Sequence, residues 1–211
     1  MFKLLLFGIC ATFAVGQTPD KCFECRGDKW DSCNGLEHTC RVSEKCVSAV
    51  SALKQALAGT NGVTEERVSR RCSDPTLCDK EMSVNYRLAS WKIKTSCGTN
   101  ATLGSEAPKG RLKCYGCMGD PSVCTQTVEC SEKETTCIKV SETIAGNLIV
   151  HKGCATDSMC KLRSEISDVT GPVIPGDVSC CHGDYCNGSN ALTSTSSVCL
   201  LLLSMIPWML S

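Results

Sequence analysis

Between residues 136 and 154 the chain reads TCIKVSETIAGNLIVHKGC, β-branched on both sides of a small, polar centre. Such a run, broken by Ala145-Gly146-Asn147, predicts a hairpin. The stretch 46–72, CVSAVSALKQALAGTNGVTEERVSRRC, has the same outline with a longer middle. Val50, Leu53 and Leu57 recur there at helical spacing, so we expect strand, a tip with a helical turn over 52–58, and strand again. Nothing from 114 to 187 carries a helical period longer than a turn or two. The ends of the chain are patterned differently. Residues 1–16, MFKLLLFGICATFAVG, place one lysine before an apolar run that closes on Ala14 and Gly16. This is the layout of a secretory signal peptide, with Gln17 as the first mature residue. At the other end GSNALTSTSS is small and polar, and VCLLLLSMIPWMLS follows as fourteen mostly apolar residues interrupted by Pro207. A membrane span needs about 20 residues. Small residues, a polar spacer and a short apolar tail instead form a glycosylphosphatidylinositol (GPI) attachment signal. Ser189 suits the attachment position, with Gly188 and Asn190 as competitors and 190–211 as the removed propeptide. We therefore expect the chain at the extracellular face of the plasma membrane, held by a lipid.

Cysteine usage changes the picture most. Of 20 cysteines, Cys10 lies in the leader and Cys199 in the tail, which leaves 18 between them. An even, dense set in an exported chain is read as disulfides. Aromatic residues are only 5% of the chain, and small units bury too little surface to overcome chain entropy unaided. Each bridge adds roughly 2–4 kcal/mol by restricting the unfolded state, so cystines rather than an apolar interior are expected to hold the fold. The cysteines repeat. The first half has them at 22, 25, 33, 40, 46, 72, 78 and 97, the second at 114, 117, 124, 130, 137, 154, 160, 180, 181 and 186. Both sets open with C-x2-C, and both place the seventh cysteine six residues after the sixth. This is an internal repeat of roughly 90 residues. It divides the mature chain into 17–99 with eight cysteines, a connecting segment 100–112, and 113–189 with ten. The connector, rich in Gly, Ser and Thr, reads as a linker with some freedom. Asn100-Ala101-Thr102 within it is an N-glycosylation acceptor, and Asn187-Gly188-Ser189 is a second match.

The opening C-x2-C of each half, six to eight residues to the third cysteine, and the closing CC-x4-CN of "SCCHGDYCN" resemble the lymphocyte-antigen-6/urokinase-receptor family, the LU or three-finger domains. The resemblance covers 22–97 and 114–187. "KGCATDSMC" and "VSCCHGDYCN" are similar to the two-domain, GPI-anchored, urokinase-receptor-like members found in fishes. It implies an all-β, disulfide-rich fold of two tandem three-finger (LU) domains. Eight cysteines alone allow about a hundred pairings. The family pattern implies Cys22–Cys46, Cys25–Cys33, Cys40–Cys72 and Cys78–Cys97 in the first half. In the second it implies Cys114–Cys137, Cys117–Cys124, Cys130–Cys154, Cys160–Cys180 and Cys181–Cys186. It also implies a structural role for Asn187, whose buried amide would then be a poor glycan acceptor. The first half departs from the pattern: "SCGTN" stands where the second has "SCCHGDYCN". The ninth and tenth cysteines are missing, and Asn100 could stand in for the closing asparagine.

Function follows from what remains. Lys+Arg and Asp+Glu are 22 each, so no strong field points to nucleic acid. C-x2-C pairs with His182 have zinc-like spacing, but an oxidising compartment and a complete bridge register leave no metal ligands. His38, His151 and His182 lie far apart in sequence, and no nucleophile elbow, H-E-x-x-H or phosphate loop accompanies them. Neither an enzyme nor a cofactor is expected. A rigid scaffold with projecting loops suits recognition, because the bridges restrict the chain before contact. Candidate binding residues are Leu53, Lys54, Gln55, Leu57, Glu65 and Glu66 in the first domain, and Ile144, Asn147, Leu148 and Ile149 in the second. In Leu148–Ile149–Val150 at least one side chain is expected to face outward or toward the other domain. The resemblance implies an extracellular protein ligand: a secreted protease, an integrin-like or matrix protein, or another receptor. Alternatives are an inhibitor of a secreted phospholipase, as in the gamma-type two-domain inhibitors, and a cell-adhesion or structural surface protein.

Overall fold

The computed structural model describes residues 18–56, 62–170 and 176–188. The leader at 1–16, the tip residue Leu57 and the attachment candidates Ser189 and Asn190 lie outside these residues, as does the apolar tail.

In the first half three hairpins follow one another. They are β1 (Lys21–Gly27) with β2 (Leu36–Thr39), β3 (Lys45–Gln55) with β4 (Val63–Ser73), and β5 (Glu81–Asn85) with β6 (Ala89–Cys97). In the second half β7 (Lys109–Tyr115) pairs with β9 (Thr127–Ser131), with the short β8 (Cys117–Gly119) between them in the chain. The expected hairpin over 136–154 is β10 (Thr136–Ile144) with β11 (Asn147–Ala155). Ala145 and Gly146 at its tip both take left-handed backbone, φ 50° and 82°, which matches the twist of the flanking strands in a two-residue turn. Two short helices, α1 (Asp157–Lys161) and α2 (Arg163–Thr170), and one strand, β12 (Asp177–Cys181), stand where the first half has its third hairpin. The helical turn expected over 52–58 is not formed over 52–55. There β3 stays extended to Gln55, which registers with Val63 on one edge and Ala89 on the other. Pairing on both edges overrides a local helical preference.

One sheet runs through both halves in the order β12-β10-β11-β5-β6-β3-β4-β1-β2, with β8 beside β11 and β7-β9 forming a separate pair. The seam is the pairing of β11 with β5, Cys154 with Asn85 and Ala155 with Val84. Farther along the same edge β8 takes over, setting Met118 opposite His151. The seam needs a glycine: a Cβ on Gly153 would stand 2.1 Å from the carbonyl oxygen of Asn85.

Cystines join Cys22–Cys46, Cys25–Cys33, Cys40–Cys72 and Cys78–Cys97 in the first half. In the second they join Cys114–Cys137, Cys117–Cys124, Cys130–Cys154, Cys160–Cys180 and Cys181–Cys186. The architecture is thus all-β and disulfide-rich, two three-finger units in tandem. An apolar interior nonetheless exists, contrary to the expectation from composition, because the halves build it jointly. Met159, Ile166 and Val169 of the two helices cover a sheet face carrying Val47, Ala49, Met82 and Ile93 from the first half and Ile138, Val140 and Ala155 from the second, all buried. Polar bonds cross the seam too. Thr156 Oγ1, which caps α1, accepts from the Ser83 amide at 3.0 Å, and Ser83 Oγ donates to buried Glu134 at 2.9 Å. The α2 carbonyls of Asp168 and Val169 accept from Arg71 and Arg26.

The connecting segment is held rather than loose. Ala101 and Leu103 lie on Val50 and Val68 on the outer face of the first unit, beside Trp30. Trp30 Nε1 donates to the Ala101 carbonyl at 3.0 Å.

Candidate functional site

The densest chemistry in the sequence, Cys180 to Asn187, folds into a clasp. Gly183 and Tyr185 take left-handed backbone, φ 99° and 58°, so the chain reverses and Cys186 meets Cys181. Asp184 accepts from the Lys113 amide at 3.0 Å, and the Tyr185 amide donates to the Lys113 carbonyl at 2.8 Å. Asn187, 4% exposed, closes the clasp on three strands. Its Oδ1 accepts from the Tyr115 amide at 3.0 Å, while Nδ2 donates to the carbonyls of Tyr115, Ile138 and Gly153 at 3.0, 2.9 and 3.3 Å. His182 is exposed. A Cβ added at Gly188, the described attachment candidate, would stand 3.2 Å from the Tyr115 ring.

The first unit closes differently. Asn100 is exposed and its Oδ1 accepts from the Arg70 guanidinium, so it does not stand in for the closing asparagine. Ser48 does that work. Its Oγ lies 2.6 Å from the Thr99 carbonyl and accepts from the Ala101 amide at 3.0 Å, pinning the chain after Cys97 to β3.

The thiol-derived sulfurs crowd in two places, Cys22/Cys40/Cys72 and Cys114/Cys130/Cys154. Each of these sulfurs is already bonded to another, so neither cluster offers a thiolate. His151 Nε2 lies 3.1 Å from Glu142 Oε1, with the Tyr86 ring edge-on at 5.7 Å.

That histidine stands at the edge of a groove of about 180 Å³. Cross-strand register explains it: Leu53, Trp91 and Val84 occupy one row of β3, β6 and β5, while Val140 and His151 are opposite one another in β10 and β11. Tyr86 leaves β5 just past the seam, and Met118 of β8 reaches in beyond it. The groove is the part of the shared apolar face that α1 and α2 leave uncovered. Met118 is 45% exposed, and burial pushes the Tyr86 phenol above the ordinary tyrosine range. On the opposite face lies a second hollow of about 240 Å³ lined by charges that neutralise one another. Lys133 pairs with Glu81 at 2.7 Å, Lys109 with Glu129 at 2.9 Å, and Lys54 with Glu106. The Lys54 ammonium holds the Glu106 carboxyl below its usual range, and Lys109 does the same for Glu129. An apolar groove gains from being covered, whereas paired surface charges gain little.

Residues 112–187, the half that ends in the clasp, match the family model for snake toxin and toxin-like protein. Lymphocyte antigen 6 complex locus protein G6d of Rattus norvegicus is 30% identical over 124 residues, covering 53% of this chain and 91% of that protein. The chain belongs to the lymphocyte-antigen-6/urokinase-receptor family. The crystal structure of mouse TEX101 is also similar, at 17% identity with a TM-score of 0.27, covering 80% of this chain and 98% of that one.

Within this member of the family, the residues singled out from sequence fall into three places. Leu53 and Gln55 line the groove. Lys54 points to the other face and is held by Glu106; Glu65 pairs with Arg67, and Glu66 is exposed. Asn147, Leu148 and Ile149 lie at the tip of the β10–β11 hairpin. Leu148 is 51% and Ile144 53% exposed, while Val150 is buried beneath the Cys117–Cys124 bridge. Sequence reading missed Tyr86, Trp91 and Met118. Two large aromatics flanking the short Arg87-Leu88 turn, in a chain so poor in aromatics, were the available signal. Among the described residues no helix is long and apolar enough to cross a membrane.

Proposed function

We propose that this family member is a GPI-anchored, non-enzymatic protein of the cell surface that binds an extracellular protein through the groove and the neighbouring β10–β11 tip. The observation that carries this reading is an apolar groove walled by strands from both units. At about 180 Å³ it is smaller than the roughly 300–1,000 Å³ of small-molecule sites, and it suits one aromatic or branched aliphatic side chain of a folded partner. Its walls are crosslinked and sheet-paired before contact, so little ordering entropy opposes association. Ile144, exposed farther along the hairpin on the same face as Val140 and His151, supplies further apolar contact of the kind that anchors interfaces.

Two measurements test it. The soluble 17–189 ectodomain is used to capture its partner from extracellular fluid, and the affinity is then measured for Met118→Glu and Ile144→Glu. Both side chains are exposed, so the fold tolerates the changes, and each is expected to weaken binding tenfold or more, about 1.4 kcal/mol. Unchanged affinity in both variants rules out the groove and tip. Separately, bacterial phosphatidylinositol-specific phospholipase C is expected to release the protein from expressing cells, and full retention on the membrane defeats the lipid anchor.

A further inference from the structure

On the outer face of the first unit one aromatic ring stands out of place. Phe23, in the middle of β1, is 50% exposed. It lines a hollow of about 400 Å³ together with Lys21, Arg70, Gly98, Thr99 and Asn100. The sequon Asn100-Ala101-Thr102 is fixed at this hollow by its own backbone. Ala101 is 2% exposed, its amide donates to Ser48 Oγ and its carbonyl accepts from Trp30 Nε1. Arg70 lies 5.3 Å above the Trp30 ring and donates to Asn100 Oδ1. That bond orients the carboxamide by its oxygen and leaves the nitrogen, the atom a glycan is built on, on the other side. Thr102 is exposed.

We propose that Asn100 carries an N-linked glycan whose first N-acetylglucosamine sits in this hollow with its apolar C–H face on the Phe23 ring. The inference rests on the secretory reading given above. In the modification step a lipid-pyrophosphate-linked oligosaccharide is the donor. The bond from sugar C1 to the pyrophosphate oxygen breaks, a bond from C1 to Asn100 Nδ2 forms, and the amide proton leaves to the released pyrophosphate. The attached sugar covers a ring that water otherwise wets, a favourable exchange for apolar surface. Lys21 and Arg70 at the rim supply charged donors for sugar oxygens. The second sequon contrasts with the first: Asn187 has its nitrogen committed to three strand carbonyls, so it carries no sugar.

The full chain is expressed in animal cells and glycopeptides are mapped by mass spectrometry. Occupancy is expected at Asn100 and not at Asn187. Chain at the cell surface with Asn100 unmodified overturns the glycan and leaves the surface reading standing; chain retained in the cytosol overturns the surface reading and the glycan with it. The seat is tested by thermal melting. Thr102→Ala removes the sequon but keeps Asn100 and its bond to Arg70, and is expected to lower Tm by about 2–4 °C, the change that 1 kcal/mol makes in a chain of this size. In a Phe23→Ser background the same substitution is expected to cost nothing further. A Tm gap that persists without the ring, or no gap in either background, overturns the seat.

Discussion

A single carboxamide ties three strands of the second unit together. Asn187 is buried and makes all its hydrogen bonds to backbone. Replacing it by alanine leaves the Tyr115 amide and up to three carbonyls without partners inside the protein. An unsatisfied buried group costs about 1–3 kcal/mol, so Asn187→Ala is expected to destabilise by about 2–4 kcal/mol and to lower Tm by roughly 5–15 °C. Calorimetry on the ectodomain measures this; a loss under about 2 °C refutes a structural role. This residue was legible in the sequence only through the resemblance of its Cys-Asn ending to the family pattern. Its counterpart in the first unit was not. Ser48 is one serine among many in an alternating strand, and only the register of β3 brings its hydroxyl beneath Thr99 and Ala101.

At the scale of elements, the β11–β5 seam depends on how closely two backbones approach. Any side chain at 153 collides with the Asn85 carbonyl, so Gly153→Ala forces the strands apart at a cost of about 1–3 kcal/mol. The expected signature is local. In hydrogen exchange the amides of Thr156 and Ser83, which bond across the seam, lose protection, while those of the β3–β4 hairpin keep theirs. Uniform loss, or none, contradicts a seam held by close approach. Hairpins were readable because β-branched runs around turn residues are local signals. The false helical turn near 52 was read from spacing alone, where pairing with both β4 and β6 decides the outcome. The seam itself leaves no period to read, since only two residue pairs form it. The same holds for the groove: Leu53 and Gln55 were found as loop residues, but their neighbours come from elements far apart in the chain.

For the whole molecule, the cysteine register announced two repeats and hid how they join. Repetition in the sequence suggests beads on a flexible string; the fold has the second copy's helices lying over the first copy's sheet, and the connector bound along its outer face. Ile166 and Val169 gave no hint of this, because a short amphipathic stretch names an apolar side without naming what it covers.

This division of labour has a consequence for descent. The copies have ceased to be interchangeable parts: one supplies an uncovered face, the other its cover. A gene cut down to either copy alone would yield an orphan with grease turned to solvent. Such a chain can regain solubility only by acquiring new polar substitutions across Val47, Met82 and Ile93, or across Met159 and Ile166.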